Sequence, residues 1–334
     1  MSERALEFGT AKAGPGEKGN GFIKVAEFCD GSPLNTPVII LNGMNPGPKL
    51  LIYALEDGDE YPGALGVLEV VNRVLPSMLN KMNGSVVCLP ATNIGAFRGN
   101  PFGGGQRMSP LNIEQAGRIH RLYPGDPDGR HTQQVAHHIH NVLKEYDPDV
   151  HIRMHGCKQI YGWDRILVSK SPPGSKLDML VRSAVTKKDE MAIVAQDREA
   201  PKRPLEFSLE TNGGENGTGN GLNTSAMREG ILNAMRHLRM IPGEELKVDK
   251  IQYLRSLGIM IHSRRGGFFT PLVNIKDLVK EGQKIGEIRN FFDDVVEEIK
   301  SPADGMIVGY YCEAPHIGSG QWRIFELFAP TEYR

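Results

Sequence analysis

Leu55-Glu56-Asp57-Gly58-Asp59-Glu60-Tyr61-Pro62-Gly63 places two carboxylates, Asp57 and Glu60, three positions apart in a Gly-containing turn after an apolar run. Far downstream, Arg153-Met154-His155-Gly156 offers a histidine near the end of a second apolar segment. Two such carboxylates and a distant imidazole form a three-ligand frame with a fourth position left for water, as a hydrolytic metal centre requires. Position 57, where such frames usually carry histidine, holds aspartate.

Positioning these groups takes strands that end where the ligands begin. Val38-Ile39-Ile40-Leu41, Leu50-Leu51-Ile52-Tyr53-Ala54 and Val86-Val87-Cys88-Leu89 are short apolar runs bounded by Gly, Pro or Asn, the pattern of strands buried on both faces. Pro62 suits a first helical position, and Leu65, Leu68, Val71 and Leu75 recur at helical spacing until Pro76, which predicts a helix interrupted there. Val135, Ile139, Val142, Leu143 and Tyr146 make a second helical stripe before Asp147-Pro148-Asp149. The alternation predicts an α/β core in which strand carboxyl ends carry the ligand-binding loops. Glu60, His155 and Glu210 fall at or just beyond such ends.

With 334 residues, 40% of them hydrophobic and 24% charged, the chain can bury a large core; the pattern predicts an α/β domain over residues 1–245 and a smaller β-rich one over residues 246–334. Lys+Arg 39 against Asp+Glu 40 leaves a net charge of -1 without a basic run. Neither nucleic acid nor an anionic membrane is therefore the expected partner; a small metabolite is, with a homo-oligomer left open. The opening residues Met1 to Glu7 lack an apolar signal core, and no stretch reaches spanning length, so the expected compartment is the cytoplasm. Cys29, Cys88, Cys157 and Cys312 are scattered without a CxxC pair, which argues against a disulfide framework and a thiolate zinc knuckle. Cys157, close to His155, is read as inert.

Beyond Leu246 the sequence turns to short strands punctuated by Gly266-Gly267, Lys280-Glu281-Gly282 and Ser301-Pro302-Ala303-Asp304-Gly305, the signature of tight turns in a compact β module. The pattern is similar to the barrel-sandwich domains of biotinyl and lipoyl carriers. Lys300 directly precedes Ser301-Pro302 rather than standing at a hairpin tip, and is read as a solvated lysine.

These motifs, in this order, resemble the succinylglutamate desuccinylase and aspartoacylase family, relatives of the zinc carboxypeptidases, over nearly the whole chain. The family's His-Gly-x-Glu aligns with Asp57-Gly58-Asp59-Glu60, and its Asp-Leu-His with Arg153-Met154-His155. Its Asn-x-x-Ala, Arg and Asn-Arg-x-Phe-Pro-Gly segments align with Asn93-Ile94-Gly95-Ala96, Arg107 and His120-Arg121-Leu122-Tyr123-Pro124-Gly125. Its Glu-x-Gly strand end looks like Glu210-Thr211-Asn212-Gly213. The resemblance implies a zinc-carboxypeptidase-like mixed sheet flanked by helices, with the all-β module at the C-terminus. It also implies an amidohydrolase that cleaves the N-acyl bond of a small carboxylate-bearing metabolite.

On that reading Asp57, Glu60 and His155 hold one divalent cation, zinc first, with manganese, iron or cobalt admitted by the carboxylate-rich set. Glu210 takes the proton from water and passes it to the departing amine. Arg107 steadies the charge that develops on the carbonyl oxygen. Arg121 is the first choice to clamp the substrate carboxylate, with Arg98 and Arg118 behind it. Asn93 and His120 stand at further substrate-contact positions, although histidine replaces the family's asparagine at 120.

Two departures run in opposite senses: Asp57 adds a carboxylate, and Arg153 replaces one with a guanidinium. We read them as a rewired site. The competing readings are a metallocarboxypeptidase and a non-catalytic small-anion-binding homologue in which Arg153 fills the metal position and pairs with Asp57 and Glu60. Each residue also has a plain structural reading. Asp57 to Glu60 is a common turn composition, His155 alone is more often structural than a ligand, and Glu210 alone suits a strand-end ion pair. His137, His138 and His140 are polar helix positions, and His151, on the strand face of His155, is a reserve ligand. The glycine-rich stretch from Gly213 to Gly221 lacks the Lys-Ser/Thr ending of a phosphate loop and is read as a loop beside the site.

Overall fold

The structure is a computed structural model. It describes residues 5–58, 60–98, 119–157, 160–161, 165–169, 175–184, 191–194, 204–212, 221–248, 252–254, 259–310, 316–317, 323–328 and 332–333.

A short hairpin, β1 (Leu6–Phe8) and β2 (Ala11–Ala13), precedes the long antiparallel pair β3 (Glu17–Glu27) and β4 (Pro33–Asn42). Next come β5 (Asn45–Ala54), α1 (Tyr61–Glu69), β6 (Asn83–Leu89), α2 (Ile94–Phe97) and α3 (His131–Tyr146). They are followed by β7 (Val150–Cys157), β8 (Ile160–Tyr161), β9 (Arg165–Ser169), α4 (Lys176–Ser183), β10 (Met191–Val194), β11 (Leu205–Asn212) and α5 (Gly221–His237). The tail holds β12 (Gln252–Leu254), β13 (Ile259–His262), β14 (Gly267–Pro271), β15 (Leu278–Val279), β16 (Lys284–Arg289) and β17 (Val295–Lys300). It closes with β18 (Gly305–Tyr310), β19 (His316–Ile317), β20 (Arg323–Phe328) and β21 (Glu332–Tyr333).

Ten strands form one mixed sheet in the order β21-β12-β10-β9-β11-β7-β5-β6-β4-β3. At its centre β11, β7, β5 and β6 run parallel to one another, so their carboxyl ends lie along a single edge. The apolar runs at 50–54 and 86–89 are fully buried, as expected for central strands covered on both faces. Side chains alternate across each strand. One face of β5 meets α3, where the Tyr53 hydroxyl donates to the Ile139 carbonyl at 2.8 Å. The opposite face of β7 receives α1: a Cβ added to Gly63 would stand 2.9 Å from Met154 Cβ, and one on Gly66 would stand 2.6 Å from Met227 Cβ of α5. These glycines allow α1 to approach both elements.

That close approach changes the helix read from the sequence. The contact face of α1 uses Gly63, Gly66, Val67 and Val70, while Leu65 remains 45% exposed. Of the predicted stripe, Val71 and Leu75 are fully buried and Leu68 packs against the core, so only Leu65 departs from it, where the close approach of the small residues turns it outward. Pro76 does not stop the chain either, because α1 passes through a π-helical turn at Val70–Val74 into a 3-10 segment at Leu75–Lys81. Proline is tolerated in the opening turn of that segment, where its missing N–H has no partner to lose.

The tail forms two antiparallel sheets around a second core of Val279, Ile285, Ile288, Ile299, Ile307 and Phe325. One contains β13, β20, β18 and β15, with β8 added alongside β18; the other runs β17-β16-β14-β19. Through β8 this module grips the chain just after β7. The strands that precede and follow it, β12 and β21, pair at the outer edge of the large sheet. Lys300 ends β17 as an exposed lysine 3.9 Å from Glu298. No described helix is long and apolar enough to cross a membrane.

Candidate active site

The turn after β5 is held in a strained conformation. Leu55 has φ 51, left-handed backbone that a branched, buried side chain rarely adopts. The segment after β6 imposes it: Thr92 N and Asn93 N donate to the Ala54 and Leu55 carbonyls, both at 3.0 Å. The buried Asn93 side chain also donates to the Glu56 carbonyl at 3.1 Å and accepts from Ala96 N at 3.2 Å, where it caps α2. The chain then reaches Glu60, the N-cap residue of α1, with Pro62 in the first helical turn. Glu56, Asp57 and Glu60 are all buried at this edge of the sheet.

Register does the rest. His151, Arg153 and His155 of β7 pair with Glu206, Ser208 and Glu210 of β11, and Tyr53 of β5 pairs with Arg153. These side chains share the face covered by α3 and form a polar file that leads to the strand ends. At its mouth, His155 Nδ1 lies 2.9 Å from Glu60 Oε2 and His155 Nε2 lies 3.4 Å from Glu56 Oε2. His120, in a 3-10 turn at Ile119–Arg121, brings Nδ1 to 3.9 Å from Asp57 Oδ1 and its ring to 6.2 Å from that of His155. Deeper in the file, Arg153 Nε donates to Glu56 Oε2 at 2.7 Å, and Arg153 Nη1 lies 3.6 Å from Glu206 Oε1. Glu206 Oε2 is 2.9 Å from His151 Nδ1.

Charge is strongly biased in this cluster. Burial alone would raise the Glu56 carboxyl, yet Arg153 and His155 hold it well below the usual carboxylate range. Burial works against charge on His155, but Glu60 and Glu56 on either side push its imidazolium well above the ordinary histidine value. Arg153 is likewise desolvated and held charged by Glu56. Burial raises the Tyr123 phenol, and the neighbouring Glu56 carboxylate raises it further.

Asp57, Glu60, His155 and His120 therefore gather at one edge, with Glu210 in register beside His155. Arg98 and Arg121 are exposed at the end of α2 and in the 3-10 turn. Asn93 is buried and engaged with the Glu56 turn. Asp59, Arg107, Arg118, the Cys157 side chain and the 213–220 loop lie outside the described residues. His151, four residues before His155, stands roughly 13 Å back along the strand, paired with Glu206. His137, His138 and His140 lie on α3, partly or fully exposed.

Glu56 is the residue that the sequence did not single out. It reads there as one more acid in an acidic turn, yet it is fully buried between Arg153 and His155. A signal existed: an arginine on the face of a buried strand requires a buried acid as partner. The alternative pairing of Arg153 with Asp57 and Glu60 is replaced by pairing with Glu56 and Glu206.

Among solved structures, a succinylglutamate desuccinylase/aspartoacylase from Rhodobacter sphaeroides superposes with a TM-score of 0.75 at 20% identity, covering 94% of this chain and 96% of that one. This chain has the succinylglutamate desuccinylase/aspartoacylase fold. That bears out the resemblance seen in the motifs. The product-bound ectoine utilization protein EutE (DoeB) from Ruegeria pomeroyi shares the fold, with a TM-score of 0.75 at 16% identity over 94% of this chain and 95% of that one. In sequence, the N-alpha-acetyl-L-2,4-diaminobutyric acid deacetylase of Halomonas elongata is 24% identical over 306 residues, 86% of this chain and 85% of the relative. No family model matches.

Within this desuccinylase/aspartoacylase fold, no three His, Cys, Asp or Glu side chains are arranged as a ready cation cage among the described residues. The donor chemistry nevertheless fits a divalent cation. Carboxylates and imidazoles converge at the strand ends, where Glu60 lies 2.9 Å from His155 and the buried Asp57 lies 3.9 Å from His120.

Proposed function

We propose that the protein is a metal-dependent deacylase that hydrolyses the N-acyl amide bond of a small carboxylate-bearing metabolite in the cytoplasm. The observation that supports this reading is the 2.9 Å approach of His155 to Glu60 at the carboxyl ends of parallel strands, with Asp57 buried in the same turn as Glu60 and Glu210 in register beside His155. Asp57, Glu60 and His155 would hold one divalent cation, zinc first and manganese, iron or cobalt next. When bound, such an ion lowers the pKa of water toward neutrality and polarises an amide carbonyl.

The chain's own groups supply the remainder. Glu210 receives the proton of the attacking water and returns it to the leaving nitrogen. Arg107 steadies the developing oxyanion, and the exposed Arg121, with Arg98 and Arg118 nearby in sequence, provides a bidentate fork for the substrate carboxylate. His120, 3.9 Å from Asp57, would offer a second imidazole to the substrate. The name of the Halomonas relative puts N-acetylated amino acids first among candidate substrates.

The test is a screen of N-acetyl, N-succinyl and N-carbamoyl amino acids against zinc, manganese, iron and cobalt, alongside unblocked peptides. Hydrolysis of acyl amino acids that requires one equivalent of metal supports the proposal. Turnover of unblocked peptides alone would assign a carboxypeptidase. Failure to take up any metal would leave an anion-binding protein.

A further inference from the structure

We propose that Glu56, anchored by Arg153, is the positioning residue that fixes the ring of His155 for cation binding; this rests on the deacylase reading above. The two nitrogens of His155 face different carboxylates: Nδ1 looks to Glu60 at 2.9 Å, and Nε2 looks to Glu56 at 3.4 Å. A histidine that ligates a metal through one nitrogen is held by an acceptor on the other, which sets both tautomer and ring angle. The question is which carboxylate belongs to the cation.

Charge balance answers it. Glu56 is fully buried and already matched by the Arg153 guanidinium at 2.7 Å. A carboxylate neutralised in this way is a weak ligand for a further cation but a strong acceptor for an imidazole N–H. Asp57 and Glu60, both buried, together match a divalent ion. Neutral His155 then presents Nδ1 toward Glu60 and the ion, and donates Nε2–H to Glu56. The Glu56–Arg153 pair and the ion with Asp57 and Glu60 would then each balance in charge, which limits the cost of burying them. The arginine at 153 and the glutamate at 56 form one unit, and the exchange at 153 leaves an anchored acceptor behind His155.

The experiment measures Zn²⁺ affinity of metal-free protein by competition with a chromophoric chelator, for wild type, His155→Ala, Glu56→Gln and the double variant Glu56→Gln/Arg153→Met. Wild type should bind one equivalent and His155→Ala none. Glu56→Gln should weaken binding on the order of 10–100-fold. The double variant removes the unpaired guanidinium; it should recover the thermal midpoint of the metal-free protein without recovering affinity. Affinity in Glu56→Gln equal to wild type, or affinity that returns together with stability in the double variant, would overturn the positioning role and leave the deacylase reading standing. A wild type that takes up no ion would sink both.

Discussion

Glu210 and His155 face each other across neighbouring parallel strands, β11 and β7, with side chains on the same side of the sheet. Under the proposed deacylase reading, Glu210 would accept the water proton beside His155 as a metal ligand. Glu210→Gln keeps the shape and removes the acceptor, so kcat should fall about 10²–10⁴-fold with metal content unchanged. Loss of metal in that variant would instead make Glu210 a ligand.

Arg153 and Glu56 should behave as a buried pair whose partners cannot be removed singly. Arg153→Met leaves a fully buried carboxylate beside His155 and should lower the urea unfolding free energy by roughly 3–5 kcal/mol. The double change Glu56→Leu/Arg153→Met should restore most of that loss. Equal instability in the single and double variants would contradict the pairing.

Acid should unfold the metal-free protein through the same file. Glu56 and Glu206 are both held below the ordinary glutamate range despite burial, by Arg153 and His155 in the first case and by His151 and Arg153 in the second. Folded values below unfolded ones contribute stability that is complete above about pH 4.3 and is lost as pH falls through the folded values. His155 runs the other way. Its raised value contributes stability that is complete below about pH 6.5 and declines as pH climbs through that value. Thermal midpoints of metal-free protein should therefore peak between these limits, and Glu206→Gln should flatten the acid limb. A midpoint unchanged from pH 3 to pH 5 would contradict the assignment.

Asn93 ties the strained turn to α2. Asn93→Ala would strand the Glu56 carbonyl and the Ala96 amide, so stability should drop by roughly 2–6 kcal/mol at about 1–3 per orphaned group. Metal affinity should fall with it, because the Leu55 conformation then has fewer restraints. Chemical denaturation and metal titration on one preparation check both effects.

The packing of α1 offers a test remote from the chemistry. Gly66→Ala would put a methyl 2.6 Å from Met227 Cβ, and overpacking of this kind costs about 1–3 kcal/mol. An unchanged unfolding midpoint would show that α1 and α5 separate easily.

The sequence by itself determined the central strands, because apolar runs such as 50–54 and 86–89 admit few other fates, and it determined α3 through its regular stripe ahead of Asp147-Pro148. The strand-end placement of Glu60, His155 and Glu210 was legible for the same reason: each follows or closes a recognisable strand. Tertiary structure alone decided what those residues touch. Glu56 and Arg153 are 97 positions apart, and their meeting follows from the register between β5 and β7, which no local pattern encodes. Hydrophobic periodicity found Leu68, Val71 and Leu75 of the buried side, but the backbone approach at Gly63 and Gly66 that leaves Leu65 exposed was settled in the same way, by which elements became neighbours. Propensity and spacing act over a few residues, whereas ion pairing and close packing depend on which strands become neighbours.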